Sequence, residues 1–285
     1  MTCQSIFSYE TWVHATAGSL GSMIAMATFY PLDTIRFRQQ LADSSLKNES
    51  VVSSLLQILQ SEGIIALYQG LKPVLISLGV SNFVYFYTFH GLKKIFKESA
   101  KNDLSLSFVA GVINVLFTTP LWVVNSRLKV SHPPYYSNLI DGLIYIANSE
   151  GLKALWSGLG PSLILVLNPA LQFTIYEALK RKISANSAGA YFLIGACAKV
   201  IATVLTYPLQ LAQTRQRYGK GNKIGMVALL FSILKRNGPL ALFNGLEAKL
   251  TQTVLTAALM FMCYEKIVFY VFRILLRGTN TKKLV

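Results

Sequence analysis

Apolar residues gather into six long runs, at 13–35, 74–92, 104–126, 159–179, 188–214 and 250–276. A helix rises about 1.5 Å per residue and the hydrocarbon core of a bilayer is about 30 Å thick, so a run of roughly 20 apolar residues crosses it. The pattern therefore predicts six membrane-spanning helices. These runs are interrupted by small and polar residues: Gly18, Ser19, Gly21 and Ser22 in the first, Asn168 and Gln172 in the fourth. Small residues let helices approach closely in lipid, and polar ones have to face protein or water. The helices are thus expected to surround a hydrated interior. Three shorter segments, 51–61, 139–149 and 225–236, carry apolar residues near helical spacing and predict helices lying in the interface plane. No gap between spans is long enough for a soluble domain.

The pattern repeats. Pro31, Pro120 and Pro208 are each followed by Leu and stand 89 and 88 residues apart. Glu62-Gly63, Glu150-Gly151 and Asn237-Gly238 follow in the same register, and then an aromatic-x-Gly step at Tyr68/Gly70, Trp156/Gly158 and Phe243/Gly245. Several independent positions at one period mark three copies of one unit. Each copy holds two spans, an even number, so successive copies enter from the same face and are related by an axis along the membrane normal. That predicts a six-helix barrel with pseudo-threefold symmetry and both termini on one face. Proline removes a backbone hydrogen bond and crowds the preceding turn. Pro31, Pro120 and Pro208 are accordingly expected to kink the three odd-numbered helices and draw one end of the barrel closed.

Composition agrees with a membrane protein: of 285 residues, 53% are hydrophobic and 14% charged. The net charge of +15 admits nucleic acid, anionic lipid or an anionic solute as partner. No basic run interleaved with stacking aromatics occurs in a soluble segment, which argues against nucleic acid. Lys and Arg divide almost evenly between the two faces, so the positive-inside rule does not orient the chain. Cys3, Cys197 and Cys263 have no metal-ligand spacing, and His14, His90 and His132 lack partners at nucleophile or metal spacing. With no Gly-rich phosphate loop, a membrane enzyme is disfavoured and no metal is expected. Nothing before Tyr9 resembles a cleavable signal, so targeting is expected to be internal. Asn48-Glu49-Ser50 matches a glycosylation triplet of a kind common by chance.

Pro31-Leu32-Asp33-Thr34-Ile35-Arg36-Phe37-Arg38, followed by Gln40, resembles the Pro-x-acid-x-x-base-x-base signature of the mitochondrial carrier family. Glu62-Gly63 to Tyr68-Gln69-Gly70, with its counterparts, looks like that family's second repeat element, and Tyr176-Glu177-Ala178-Leu179-Lys180 like its aromatic-acid-x-x-base element. The resemblance covers the whole chain. It implies an all-α membrane protein, one carrier domain over 1–285 with repeats at 9–100, 101–186 and 187–277 and a tail at 278–285. The wording of 82–89, 108–122 and 245–250 is similar to a peroxisomal membrane branch described as moving coenzyme A, FAD, NAD and adenosine nucleotides such as AMP. Those are implied as cargo, with no prosthetic group. A monomer in membrane lipid, bound to a small anionic substrate, is the implied working form. The mitochondrial inner membrane and a different anion are the alternative within transport.

In this family, salt bridges between odd helices close one gate and those between even helices the other. Carried over by position, Asp33 is expected to face Gln213, Arg36 to face Trp122, and Asn125 to face Gln210. No complete acid-base pair then remains between neighbouring odd helices, which predicts a loosely closed gate and an easy return of the empty carrier. On the even helices Glu265 is expected to meet Lys93, with His90 in place of an acid and Val268 in place of a base opposite Glu177.

Helical spacing locates the cavity face independently. Thr206, Thr203 and Lys199 lie 4, 7 and 11 residues before Gln210, on one stripe of the fifth helix. A lysine within a span has to be hydrated or paired, so Lys199 is a candidate anion ligand. The family's contact positions fall on Ser77/Leu78, Ile164/Leu165 and Gln252/Thr253, with Ser81, Tyr85, Asn168, Gln172 and Thr256 on the same faces. None is arginine. Hydroxyls, amides and apolar walls suit an adenine ring and ribose, while Lys199, Arg36 and Lys93 attract phosphates. The polar stripe equally serves as packing between helices. A non-transporting scaffold is the rival from another class, and it would show no saturable ligand effect on thermal stability.

Overall fold

The computed structural model describes residues 21, 23–41, 50–95, 100–129, 136, 138–183, 188–219, 224–257 and 259. They form helices without strands: α1 Tyr30–Leu41, α2 Val51–Ser61, α3 Ile64–Leu67, α4 Leu71–Ile95, α5 Ala100–Leu128, α6 Leu139–Ser149, α7 Leu159–Leu165, α8 Asn168–Lys182, α9 Ala188–Tyr218, α10 Met226–Asn237, and α11 over 246–257. Two 3₁₀ turns, Leu152–Trp156 and Pro239–Phe243, precede α7 and α11. Four stretches among the described residues are long and apolar enough to cross a membrane: Ile64–Lys93, Ser105–Leu128, Leu152–Lys182 and Leu193–Tyr218. The first and sixth predicted spans lie partly outside the described residues. Large apolar side chains such as Phe83, Phe117, Leu193 and Leu205 remain exposed, as expected where the solvent is lipid.

The predicted interfacial helices are α2, α6 and α10. Each buries an isoleucine at the same repeat position, Ile58, Ile146 and Ile233, beneath the end of its odd-numbered helix in a separate apolar cluster. Ser50 caps α2 by accepting from the Ser53 amide at 3.2 Å. At the other end Gly63, Gly151 and Gly238 turn the chain out of each helix. The arginine two residues after the signature base reaches back to this corner. Arg38 forks onto Glu62 and Arg127 onto Glu150, with second contacts of 2.8 and 3.0 Å. In the third repeat Asn237 stands in place of the carboxylate, and Arg215 donates to the Gln40 carbonyl of the first repeat at 2.8 Å.

Two of the repeating prolines lie inside continuous helices, and a fourth proline marks a break. Helices α5 and α9 run unbroken through Pro120 and Pro208, whereas the fourth predicted span breaks at Val166–Leu167 into α7 and α8. Pro169 in the first turn of α8 accounts for that break: it offers no N–H to the Leu165 carbonyl and crowds it. The Leu116 carbonyl, orphaned by Pro120, accepts instead from Trp156 Nε1 at 2.9 Å. In the other repeats the residue before proline is a tyrosine. Tyr30 donates to the Gln69 carbonyl at 2.9 Å and Tyr207 to that of Asn244 at 2.7 Å, tying each proline to its own aromatic-x-Gly step.

Those glycines close the barrel, because each meets the next repeat. Gly70 lies against Lys129, Gly158 against Arg217 and the Gln213 carbonyl, and Gly245 against the Arg36 carbonyl. The order is one to two, two to three, three to one. At Gly245 the backbone has φ +81°, and an added Cβ would stand 3.0 Å from both Arg36 O and Tyr207 Oη. Gly245→Ala is therefore expected to cost about 1–3 kcal/mol, read as a lower unfolding midpoint in detergent. Gly195→Ala, inside α9 with nothing within 4 Å, is the control and should leave the midpoint unchanged or raise it.

Candidate functional site

At the proline end the odd helices converge on Asp33, which is buried. Its carboxylate accepts from Lys129 Nζ, from Arg36 on its own helix at 2.9 Å and from Gln252 Nε2 at 3.3 Å. The Lys129 ammonium also lies 4.8 Å from the centre of the Tyr30 ring and 5.3 Å from that of Phe37, close enough for cation–π attraction. Burial pulls this ammonium below the usual lysine range, and the Asp33 carboxylate opposes that pull.

This arrangement corrects the expected gate. Asp33 does not meet Gln213; it pairs with Lys129 across neighbouring odd helices, so an acid-base latch is present after all. Gln213 donates to Ser162 Oγ at 2.8 Å, and Arg217 to the same oxygen at 3.1 Å. Arg36 is held by Asp33 rather than Trp122, whose ring has the Arg217 guanidinium 6.0 Å from its centre. Asn125 donates to Ser77 Oγ at 2.7 Å, and Gln210 to Thr206 Oγ1 at 3.2 Å. A short amide reaches a hydroxyl on an adjoining or its own helix more readily than a second amide across the axis. Gln40 donates to Tyr207 Oη at 3.1 Å and joins the first repeat to the third.

Several expected cavity residues are spent on packing. Ser77 is fully buried under the gate. Ser81 and Asn114 share a hydrogen bond of 3.0 Å between α4 and α5, and Asn168 donates to Thr206 at 3.2 Å between α8 and α9. Thr203 is buried and bonds the Lys199 carbonyl at 2.7 Å; Thr253 bonds that of Lys249 at the same distance. Leu78 and Gln172 are half-buried, and Ile164 is exposed. The hydroxyl of Thr256 and the Oε1 of Gln252 are buried with no hydrogen-bond partner among the described residues.

At the opposite end Lys93 meets Asp103 at 3.2 Å; its expected partner Glu265, like Val268, lies outside the described residues. Glu177 and Lys180 stand 3.9 Å apart on α8, with Lys180 also beside the Tyr191 ring of α9. These pairs are partly exposed, whereas the proline end is buried and cross-tied. Among the described residues the buried cross-helix ties gather at the proline end.

Sequence reasoning missed Lys129 and Lys249. Lys129 lies nine residues after Pro120, the register position that Gln40 holds after Pro31, and carrying that position over to the second repeat would have found it. Lys249 stands three residues before Gln252 on the same face of α11, a spacing that marks it. It lies within electrostatic range of Asp33, Arg36, Lys129 and Lys199. Among the described residues, no ion pair engages Lys199 or Lys249. Lys249 thus links the cations at Asp33 with Lys199, and among the described residues this excess of positive charge is suited to an anion.

The model of the mitochondrial carrier protein family matches residues 7–100, 97–187 and 184–274. Peroxisomal membrane protein PMP34 of Mus musculus is 46% identical over 304 aligned positions, covering 97% of this chain and 99% of that protein. Peroxisomal adenine nucleotide carrier 1 of Glycine max is 31% identical, with 90% and 91% covered. The peroxisomal nicotinamide adenine dinucleotide carrier of Arabidopsis thaliana is 28% identical, with 91% and 96% covered.

Proposed function

This chain belongs to the mitochondrial carrier protein family, and from that membership we propose that it moves adenine-containing nucleotides across the peroxisomal membrane by alternating access. It is a multi-pass membrane transporter. The observation that carries the substrate reading is the series of cations from Arg36 through Lys249 to Lys199, with Asp33 the one carboxylate in range of Lys249 among the described residues. Phosphates supply the matching charge, and the relatives named for adenine nucleotides and nicotinamide adenine dinucleotide point the same way. Coenzyme A, FAD, NAD and AMP are the cargo candidates within that class. The chain transports rather than catalyses and needs no prosthetic group. It works as a monomer in lipid, because its own three repeats close the barrel.

The test is uptake of labelled AMP into proteoliposomes carrying the purified protein. Coenzyme A, FAD and NAD are expected to compete, and succinate is not. Equal competition by succinate would replace the nucleotide reading with that of a general anion carrier.

A further inference from the structure

Between the second, third and fourth helices lies a space of roughly 710 Å³ whose lining includes no Lys, Arg, Asp or Glu. Tyr85 of α4 forms one wall, and the backbone face of α5 at Gly111, with Asn114 and Val115, forms the back. Leu165, Leu167 and Pro169, where the fourth span breaks, form the opposite wall; Ser162 and the gate residue Gln213 form the floor. The alcove exists because of two departures from regular helix packing. A Cβ at Gly111 would stand 2.6 Å from Val166 Cγ1, so the broken segment seats directly on the backbone of α5. Above that contact α8 restarts in a new turn at Asn168.

Tyr85 is a firm wall. Its ring lies nearly parallel to that of Phe89 one turn on, at 6.3 Å between centres and 4° between planes, and Phe86 meets it edge-on at 5.6 Å. Such neighbours restrict the ring's rotation and leave an aromatic surface toward the alcove. The Asn168–Thr206 bond joins the alcove wall to α9, where Lys199 lies seven residues from Thr206, about 10 Å along the axis. A ribose and phosphate chain spans a separation of that order.

The geometry points to the alcove as the subsite for the planar ring of the transported nucleotide, with Tyr85 as its stacking partner and the lysines taking the phosphates. This rests on the nucleotide reading above and assigns the ring to one place: the second, third and fourth helices, on a lining without charged side chains whose floor at Ser162 is held by Arg217 from behind.

Uptake of AMP and of ribose 5-phosphate, which keeps the phosphate and lacks the ring, separates the possibilities. Tyr85→Ala is expected to raise the KM for AMP about tenfold, the order produced by losing one base–aromatic stack. The KM for ribose 5-phosphate should stay unchanged, and Tyr85→Phe should behave as wild type. Ala170→Phe, which fills the alcove from α8, should exclude AMP and spare ribose 5-phosphate. Unchanged AMP kinetics in both Tyr85→Ala and Ala170→Phe would overturn the alcove and leave the nucleotide reading standing. A wild-type protein that does not take up AMP would overturn both.

Discussion

Asp33→Asn is expected to be the most damaging single change at the gate. The carboxylate is buried and receives Lys129, Arg36 and Gln252, and Lys249 lies in range. Removing its charge leaves several cations facing one another with no counter-charge, and breaking a buried ion pair from one side costs about 3–5 kcal/mol. For a chain of this size that corresponds to a fall in unfolding midpoint on the order of 10 °C. Lys129→Met should cost less, because Asp33 keeps Arg36. The double variant Asp33→Asn with Lys129→Met should recover part of the loss, since a buried pair removed whole is less costly than one broken. Midpoints of the four proteins in detergent form the cycle. An Asp33→Asn midpoint equal to wild type would remove the pair as the latch. The same latch bears on transport: in loaded liposomes without counter-substrate, Lys129→Met should release cargo faster than wild type.

The second large effect is expected at the cavity lysines. Lys199→Ala and Lys249→Ala should each weaken AMP uptake roughly 10- to 100-fold, as loss of one charge-assisted hydrogen bond of about 1.5–3 kcal/mol implies. Stability should move the other way or not at all. Among the described residues Lys249 has Asp33 in range and Lys199 has no acidic partner, and deleting either relieves repulsion with Arg36 or with the other lysine. The combination of weaker uptake with an unchanged or higher midpoint distinguishes a substrate-binding cation from a structural one. Unchanged uptake in Lys199→Ala would take it out of the site.

Much of the architecture was legible because it depends on local pattern. Apolar length located the spans, and the period of Pro31, Pro120 and Pro208 implied three parallel copies. Helical spacing placed α2 and α6 at 51–61 and 139–149 and α10 within one residue. The break in the fourth span was equally local, yet Pro169 was overlooked beside the three repeating prolines. The resemblance carried the family, and the family carried the expectation of a gate at Asp33.

The partners within that gate were not legible. Position-by-position transfer assumes that threefold-related residues meet, but side chains bond whatever lies within about 3 Å with the right polarity. Asn125 found Ser77, Gln213 found Ser162, and Asp33 found the lysine that stands in the second repeat where the first has Gln40. The helical stripe was correct as geometry, yet several of its members turned out to hold helices together. Spacing along one helix says which face a residue occupies and nothing about what stands opposite.

By itself the sequence determined the membrane class and the threefold repeat, since each follows from periodicity along the chain. Only the tertiary structure decided that Lys129 pairs with Asp33, that Lys249 comes within range of Lys199, and that Gly111 and the break before Pro169 border an alcove without charged lining. Those features arise where three repeats meet around an axis, and distance across that axis is not encoded in spacing along it.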